Sequence, residues 1–264
     1  MLTIAVKAAR EAGKIINRAS QDVGSIKIQT KTYNDFVSDV DRAAEQAIIS
    51  VLKDAYPDHG FLGEESGESN QQADNIWIID PLDGTTNFLH SFPQYCISIA
   101  LQQKGVLTQA VIYDPVRNDL FTATKGRGAF LNDKRIRVTN RSKLQDSLIA
   151  TGFPFRDFTH LETYLNMLRD MIKKTTGIRR PGSALDLAYV AVGWVDGFFE
   201  INLSAWDIAA GGLIVQEAGG IVGDFEGNES WLKTGNIVAA NPKVFAQILQ
   251  TLSTHLTDDL KTPK

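Results

Sequence analysis

Two carboxylates lie within one short stretch, Asp80-Pro81-Leu82-Asp83, directly after the apolar run Ile76–Ile79. The apolar run predicts a buried strand, and Pro81, which has no N–H to donate, predicts that the ladder of this strand ends there. Two carboxylates in one tight turn repel each other unless a cation lies between them. Since hard divalent cations prefer oxygen ligands, the stretch predicts a metal site.

Further acidic residues stand where a predicted helix begins or a predicted strand ends. They are Asp41, Glu64, Glu200 and Asp207. Asp41 also fits an ordinary helix-start residue that complements the helix dipole, and Glu64 also fits a solvated loop. Glu64 follows a short apolar piece just upstream of Asp80, which repeats the pattern of a strand followed by acids. These acids are candidate metal ligands, and the alternative is a set of unrelated caps and surface charges.

The donor types favour one class of metal and of substrate. The four histidines and the single cysteine are scattered, which argues against zinc and for Mg²⁺ or Mn²⁺. Gly84-Thr85-Thr86, directly after Asp83, offers N–H groups and hydroxyls that suit a phosphate. The sequence has no Walker A or G-x-G-x-x-G motif, so no nucleotide cradle is indicated. The residues therefore indicate a metal-dependent hydrolase that attacks a phosphate with water activated by two or more ions.

Hydrophobic periodicity predicts the elements that must hold these residues in place. Helices are predicted over residues 2–19, from a cap at Ser38 or Asp39, and over 160–174, 184–195, 205–218 and 242–255. Strands are predicted over 76–79, 95–101, 106–113, 119–124, 128–131, 148–152, 197–200, 221–222 and 237–240. Helices and strands alternate without regular βαβ units, which favours stacked mixed sheets and helix layers over a doubly wound sheet.

Composition limits the functional classes. The 264 residues carry 27 basic and 31 acidic side chains, a net charge of −4, which gives no general reason to expect nucleic-acid binding. Cys96 lies in an apolar run, so we expect a buried thiol and no internal disulfide. The first 20 residues mix charged and apolar residues, unlike a signal peptide, and no apolar run is long enough to span a membrane. A cytoplasmic protein is the expectation.

Three stretches together resemble the inositol monophosphatase family over nearly the whole chain. They are Gly63-Glu64-Glu65-Ser66, Trp77-Ile-Ile-Asp80-Pro-Leu-Asp83-Gly-Thr-Thr86, and Trp206-Asp207-Ile-Ala-Ala-Gly211 leading to Glu217-Ala-Gly-Gly220. Bacterial SuhB-type members are the most similar, on Asn34–Val37, Ala150–Phe155 and Leu185–Val190. The resemblance implies an α+β fold, an αβαβα layered sandwich. It also implies a single domain over residues 1–264, with a large sheet in 1–142 and a second sheet in 143–264.

The resemblance also implies a role for each site residue. The ligands of two to three Mg²⁺ ions, with Mn²⁺ possible, would be Glu64, Asp80, the Leu82 carbonyl, Asp83 and Asp207. Glu64 and Thr85 would orient the attacking water, and Asp41 would accept a hydrogen bond from Thr85. The substrate-binding residues would be Asp83, Gly84, Thr85, Ala184, Glu200 and Asp207. Lys31 falls close to a lysine that the family places near the site.

The function implied is the hydrolysis of inositol monophosphate to inositol and phosphate, by a lithium-sensitive homodimer. Other substrates in the family are histidinol phosphate, 3′-phosphoadenosine 5′-phosphate, fructose bisphosphate and NADP. The short loop after Asn87 favours a small polyol phosphate. A different class of function stays open, because SuhB-type proteins bind NusA and RNA polymerase in transcription antitermination. The basic stretches Lys134–Arg141 and Lys173–Arg180 are candidate surfaces for such partners.

Overall fold

The computed structural model describes residues 1–26, 28–32, 35–154 and 157–260. Within these ranges the helices are α1 (Leu2–Ala19), α2 (Asp39–Ala55), α3 (Thr85–Leu89), α4 (Leu161–Lys174), α5 (Ser183–Val192), α6 (Ala205–Glu217), α7 (Trp231–Thr234) and α8 (Pro242–Leu252). The strands are β1 (Ile28–Thr32), β2 (Asp35–Ser38), β3 (Gly60–Gly63), β4 (Gly67–Ser69), β5 (Asn75–Asp83), β6 (Cys96–Gln103), β7 (Val106–Asp114), β8 (Asp119–Thr124), β9 (Gly128–Leu131), β10 (Lys134–Arg135), β11 (Leu148–Thr151), β12 (Gly177–Arg179), β13 (Gly197–Glu200), β14 (Ile221–Gly223) and β15 (Ile237–Ala240).

The predicted elements are confirmed, apart from some of their ends. Helix α5 ends at Val192, three residues earlier than predicted, because Gly193 adopts a left-handed conformation (φ 79°) that stops the helix. Helix α8 ends at Leu252, and a short 3₁₀ turn continues the chain over Ser253–His255. The cap of α2 is Ser38, whose side chain accepts a hydrogen bond from the Val40 N–H.

Most of the strands form two larger sheets. In the first, eight strands lie in the order β10-β9-β8-β7-β6-β5-β3-β4, and all neighbours are antiparallel except β3 and β5. In the second, five strands lie in the order β12-β11-β13-β15-β14, and β12, β11 and β13 are mutually parallel. Strands β1 and β2 form a separate hairpin.

Three hydrophobic cores stack these sheets between helices. Ile79 of β5 packs with α1 and α2, whereas its neighbour Ile78 points to the opposite face and packs with α5 and α6. The second sheet repeats this alternation, since Phe198 of β13 joins the core around α5 and α6, while Phe199 packs with α4 and α8. Successive strand residues point to opposite faces, so both faces of both sheets are covered. The expected αβαβα layered sandwich is confirmed.

Helix α6 occupies the central layer, and its residues 208–215 are all apolar and buried. A Cβ added to Gly211 would lie 2.5 Å from the Cβ of Leu187, and one added to Gly212 would lie 2.4 Å from the Trp231 ring. Glycine is therefore required for the close approach of α6 to its neighbours. Among the described residues, no helix has the length and hydrophobicity needed to cross a membrane.

Candidate active site

Asp80 and Asp83 lie on one face of β5 because the strand contains a β-bulge. Asp80 pairs with Ser98 and Asp83 pairs with Cys96, so three residues on β5 advance the register by only two on β6. Ser98 and Cys96 share a face of β6, and the extra residue brings their partners to the same face as well. The prediction that the ladder ends at Pro81 is wrong, since pairing resumes at Asp83. The bulge tolerates a proline because it requires no N–H there.

Asp207 reaches the same place from the first turn of α6. The Ser204 N–H donates to Asp207 Oδ2 over 2.7 Å, which fixes the side chain at the helix start. The Ser98 hydroxyl donates to the Trp206 carbonyl over 3.1 Å and ties this turn to the strand beside Asp80. One carboxylate oxygen from each of Asp80, Asp83 and Asp207 lies within 4.8 Å of the others.

Glu64 arrives from strand β3, which runs parallel to β5. Gly63 pairs with Ile79, and the Glu64 N–H donates to the Ile79 carbonyl over 3.1 Å. Parallel strands end at the same edge of a sheet, so Glu64 lies beside Asp80. The pattern of a strand followed by an acid in both segments therefore had a structural cause, namely two parallel neighbours.

The electrostatics of this cluster favour a cation. Burial raises the pKa of Asp80 well above its usual range, and the charges of Glu64, Asp83 and Asp207 raise it further. The Leu82 N–H, 3.0 Å from Asp80 Oδ1, lowers the pKa in part. A divalent cation among these oxygens would offset the repulsion. An all-oxygen donor set of carboxylates and carbonyls matches Mg²⁺ or Mn²⁺, so the residues present fit such an ion.

Thr85 stands at the edge of the cluster and is held by two acceptors. Its hydroxyl lies 2.8 Å from Asp41 Oδ1 and 3.1 Å from the Leu82 carbonyl oxygen. Asp41 is fully buried in the first turn of α2, and its other oxygen accepts from the backbone N–H and the hydroxyl of Ser38. The turn before Thr85 requires Gly84, which has a φ of 91° and whose added Cβ would meet the Gln94 carbonyl at 2.9 Å.

The opposite wall comes from the second half of the chain. Asp83 accepts hydrogen bonds from the Ser183 hydroxyl (3.1 Å) and from the Ala184 N–H (2.9 Å) at the start of α5. Glu200, at the end of β13, is buried. Burial and the charges of Asp207 and Asp83 raise the pKa of Glu200 to about 8, while the nearby Arg180 guanidinium opposes the shift. This wall therefore offers carboxyl and hydroxyl groups suited to hydrogen-bonding a polyol.

The structure brings most of the predicted residues to one cavity of about 350 Å³. Its predicted members are Glu64, Asp80, Leu82, Asp83, Gly84, Thr85, Glu200 and Asp207. Asp41 lies behind Thr85, and Ala184 contacts Asp83 through its N–H. Among the residues quoted for the resemblance, Asn34 and Phe155 lie outside the described residues, and so does the side chain of Lys31.

Several residues around the cavity were missed from the sequence, among them Ser183, Arg180 and Phe153. Ser183 looked like a helix cap, and only the folded structure shows its hydroxyl on Asp83. Arg180 lies over the Phe153 ring, 4.9 Å from its centroid, and both line the outer part of the cavity. Phe153 follows the predicted strand over 148–152, and that position was the signal that could have identified it. Arg180 follows β12, a strand that was not predicted. They make the mouth of the cavity partly aromatic and partly cationic.

Comparison with known proteins agrees with this geometry. The model of the inositol monophosphatase family matches residues 1–257. The putative Nus factor SuhB of Neisseria meningitidis is 56% identical over 97% of this chain and 98% of its own. The crystal structure of the extragenic suppressor protein SuhB from Bartonella henselae is 44% identical, with a TM-score of 0.93, and covers 96% of this chain and 98% of its own. The inositol monophosphatase from Anabaena (Nostoc) sp. PCC 7120 is 35% identical, with a TM-score of 0.82, over 96% and 95%. The chain therefore belongs to the inositol monophosphatase family.

Proposed function

We propose that the protein is a Mg²⁺-dependent phosphomonoesterase that hydrolyses inositol monophosphate to inositol and phosphate. The observation that carries the proposal is the group formed by Asp80, Asp83 and Asp207, with oxygens within 4.8 Å of one another, in a cavity that Thr85 also lines. Glu64, the Leu82 carbonyl and these aspartates would hold two to three ions. When bound, Mg²⁺ neutralises charge on the phosphoryl group and lowers the pKa of water.

Thr85 is suited to orient the attacking water because of the direction of its hydrogen bond. Its hydroxyl donates to Asp41 Oδ1, so the oxygen lone pairs act as acceptors. A water molecule beside Thr85 would donate one O–H to this oxygen and a second to the Glu64 carboxylate, which leaves its own lone pair for the phosphorus. The N–H groups of Gly84 and Thr85 would bind the phosphate oxygens.

The other wall of the cavity would bind the alcohol part of the substrate. Glu200 and Asp83 supply acceptors for hydroxyl groups, and Ala184 supports Asp83 through its N–H. A cavity of about 350 Å³ lies at the small end of ligand sites, which suits a single polyol ring carrying one phosphate.

A phosphate-release assay with Mg²⁺ tests the proposal. The panel contains inositol 1-phosphate, histidinol phosphate, 3′-phosphoadenosine 5′-phosphate, fructose bisphosphate and NADP, each with and without EDTA and Li⁺. We expect the highest kcat/KM for inositol 1-phosphate, with activity lost in EDTA and reduced by Li⁺. Release of phosphate from none of these compounds would contradict the proposal, and a preference for another compound would redirect it within the family.

A second candidate function is binding to the transcription machinery in the cytoplasm, through NusA and RNA polymerase. The observation that favours it is the 56% identity with a protein called a putative Nus factor. A pull-down of purified NusA with the wild-type chain and with Asp83→Asn tests this function. Equal capture by both would support a binding role separate from hydrolysis, and no capture would contradict it.

We also propose that the protein is a homodimer. Light scattering on the same samples tests this oligomeric state.

A further inference from the structure

Helix α2 carries a second buried acid, Glu45, one turn after Asp41. Only 2% of Glu45 is exposed. Its Oε2 accepts from the Glu65 N–H over 3.0 Å, and its Oε1 accepts from the Ser66 N–H over 2.8 Å. A buried carboxylate is costly unless it is hydrogen-bonded, and here two consecutive backbone donors satisfy both oxygens.

These two donors belong to the turn directly after Glu64. Gly63, directly before Glu64, also lies against the same carboxylate. A Cβ added to Gly63 would lie only 2.5 Å from Glu45 Oε2. The Glu45 side chain is thus packed against the backbone on both sides of Glu64. Glu64 lines the cavity, whereas Glu45 is not among the residues that line it. The hydrogen bonds that connect Glu45 to the site therefore run through the turn after Glu64.

Asp41 and Glu45 are four residues apart, so they share one face of α2 and are separated by about 6 Å along its axis. Asp41 holds the hydroxyl of Thr85, and Glu45 holds the turn that carries Glu64. One rigid helix therefore sets the separation between the two groups that the proposed function uses to orient water.

We propose that Glu45 is a positioning residue, which fixes the turn at Glu64 and so holds its carboxylate against the Asp80 cluster for Mg²⁺ binding. The part of this inference that concerns water rests on the proposed function, whereas the part that concerns Mg²⁺ binding does not. The inference predicts that metal affinity depends on a side chain that touches neither the metal cluster nor the substrate.

Glu45→Gln tests the inference with almost no change in volume. The amide oxygen of Gln accepts one N–H, but its NH₂ faces the other N–H, so one donor of the turn is left unpaired. Loss of a residue that orients a metal ligand typically costs about 10–100-fold in metal affinity or activity. We expect the Mg²⁺ concentration for half-saturation to rise about tenfold or more by isothermal titration calorimetry. In the phosphate-release assay, we expect kcat to fall while the KM for the substrate changes much less.

Glu217→Gln is the matched control. Glu217 also uses both oxygens to accept two backbone N–H bonds, from Gly126 and Gly128, each 2.7 Å long, and it does not line the cavity. We expect Glu217→Gln also to lower the melting temperature, by less than Glu45→Gln does because Glu217 is less buried, and to leave the Mg²⁺ titration unchanged.

Two results would overturn the inference: a Glu45→Gln protein that binds Mg²⁺ like the wild type, or a Glu217→Gln protein whose Mg²⁺ affinity falls equally. If Glu45→Gln does not fold, Glu45→Asp takes its place in the same titration, since it keeps the charge but is one methylene too short for both N–H groups. If Asp83→Asn binds Mg²⁺ with the same affinity as the wild type, the metal site itself is overturned. Absence of hydrolysis in the wild type would contradict the proposed function, and the Mg²⁺ titration would still decide the role of Glu45.

Discussion

Asp80 and Asp224 are both buried aspartates beside a turn, with 1% and 3% of their surface exposed, yet their surroundings are opposite. Asp224 Oδ1 accepts from the N–H groups of Glu226 and Asn228, each over 2.9 Å, and its Oδ2 accepts from the Ser230 hydroxyl. Asp80 accepts the Leu82 N–H and otherwise faces three further acids. The fold satisfies Asp224 from its own loop, whereas Asp80 faces Asp83 on its own strand and the negative charges of Glu64 and Asp207 from two other segments.

This difference separates an acid that stabilises a loop from acids that are suited to bind a cation. A buried carboxylate with donors on both oxygens contributes to stability, and its removal leaves donors unpaired. Carboxylates that repel one another reduce the stability of the metal-free protein, and a bound cation offsets this repulsion. Substitutions in the two regions should therefore differ in how they divide their effect between stability and activity.

The largest effect is expected from Asp83→Asn compared with Asp224→Asn. Loss of a proposed metal ligand should remove several kcal/mol of transition-state stabilisation, so kcat of Asp83→Asn should fall by about 10²-fold or more. Its metal-free melting temperature should fall less than that of Asp224→Asn, because the loss of one repelling charge offsets the weaker hydrogen bonds from Ser183 and Ala184. Asp224→Asn should keep its activity and lose about 1–2 kcal/mol of unfolding free energy, because its charge-assisted hydrogen bonds weaken.

Phosphate release and urea unfolding in EDTA measure both effects on both variants. An Asp83→Asn protein that is folded and turns over like the wild type would contradict the assignment of the acidic cluster. An Asp224→Asn protein that loses activity but not stability would contradict the distinction between the two aspartates.

The next effect concerns Thr85, which connects the cluster to Asp41. Thr85→Ala removes the hydroxyl that Asp41 holds, whereas Thr85→Ser keeps it. Because misplacement of a reacting group by about 1 Å costs about 10²-fold in rate, we expect kcat of Thr85→Ala to fall by up to that factor. Thr85→Ser should retain most of the activity. Steady-state kinetics at saturating Mg²⁺ decide this point, and equal kcat values for the two variants would exclude a role for the hydroxyl.

The pH dependence of stability sharpens the comparison without a mutation. The pKa values of Asp80 and Glu200 are raised in the folded protein, that of Glu200 to about 8, against about 4 in an unfolded chain. Such groups bind more protons when folded, so their contribution to stability is present below about pH 4 and is lost as the pH rises through the folded values. The metal-free protein should therefore lose stability between about pH 4 and 8.

Added Mg²⁺ should reverse this loss, because it binds the ionised carboxylates and not the protonated ones. Thermal unfolding from pH 5 to 8.5, in EDTA and in excess Mg²⁺, measures the effect. We expect the increase in melting temperature on adding Mg²⁺ to be larger at pH 8 than at pH 5. An increase that is the same at every pH would mean that these carboxyl groups do not couple to the metal.

The sequence predicts much of the fold and of the site because both rest on local patterns. Helical periodicity located α1, and a strand followed by an acid located both Glu64 and Asp80. The bulge in β5 was not predictable, because Pro81 interrupts the pattern and the pairing of Asp83 with Cys96 depends on a partner strand. Asp207 was a candidate ligand from its place at a helix start, but only the family resemblance assigned it to the same ions as Asp83, since it lies more than a hundred residues away.

Buried acids that position another acidic residue are the hardest to predict from sequence. Glu45 had one available signal, since it occupies the buried face of α2, at helical spacing from Asp41, Ile48 and Leu52. A charged residue at an apolar position of that face indicates a partner, but the partner is a backbone turn with no side-chain pattern of its own. Asp186 is another acid that is fully buried among the apolar residues of a helix, α5. Burial and the charge of Glu200 raise its pKa.

The smallest effect is expected where the two sides of the site are joined, at Ser98. Its hydroxyl donates to the Trp206 carbonyl, one residue before Asp207, whereas the hydroxyl of the equally buried Ser147 donates to the Lys143 carbonyl over 2.8 Å, remote from the cavity. Ser98→Ala and Ser147→Ala should each lose about 1 kcal/mol of unfolding free energy in urea, the net value of one hydrogen bond. Only Ser98→Ala should also weaken Mg²⁺ binding, by a few-fold, because the first turn of α6 is then free to shift Asp207 relative to Asp80.

Calorimetric titrations measure the Mg²⁺ affinity of both variants. Equal affinities would show that the hydrogen bond from the Ser204 N–H is enough to position Asp207. The acidic cluster would then differ from the Asp224 loop in its charges alone, and not in how rigidly its side chains are positioned.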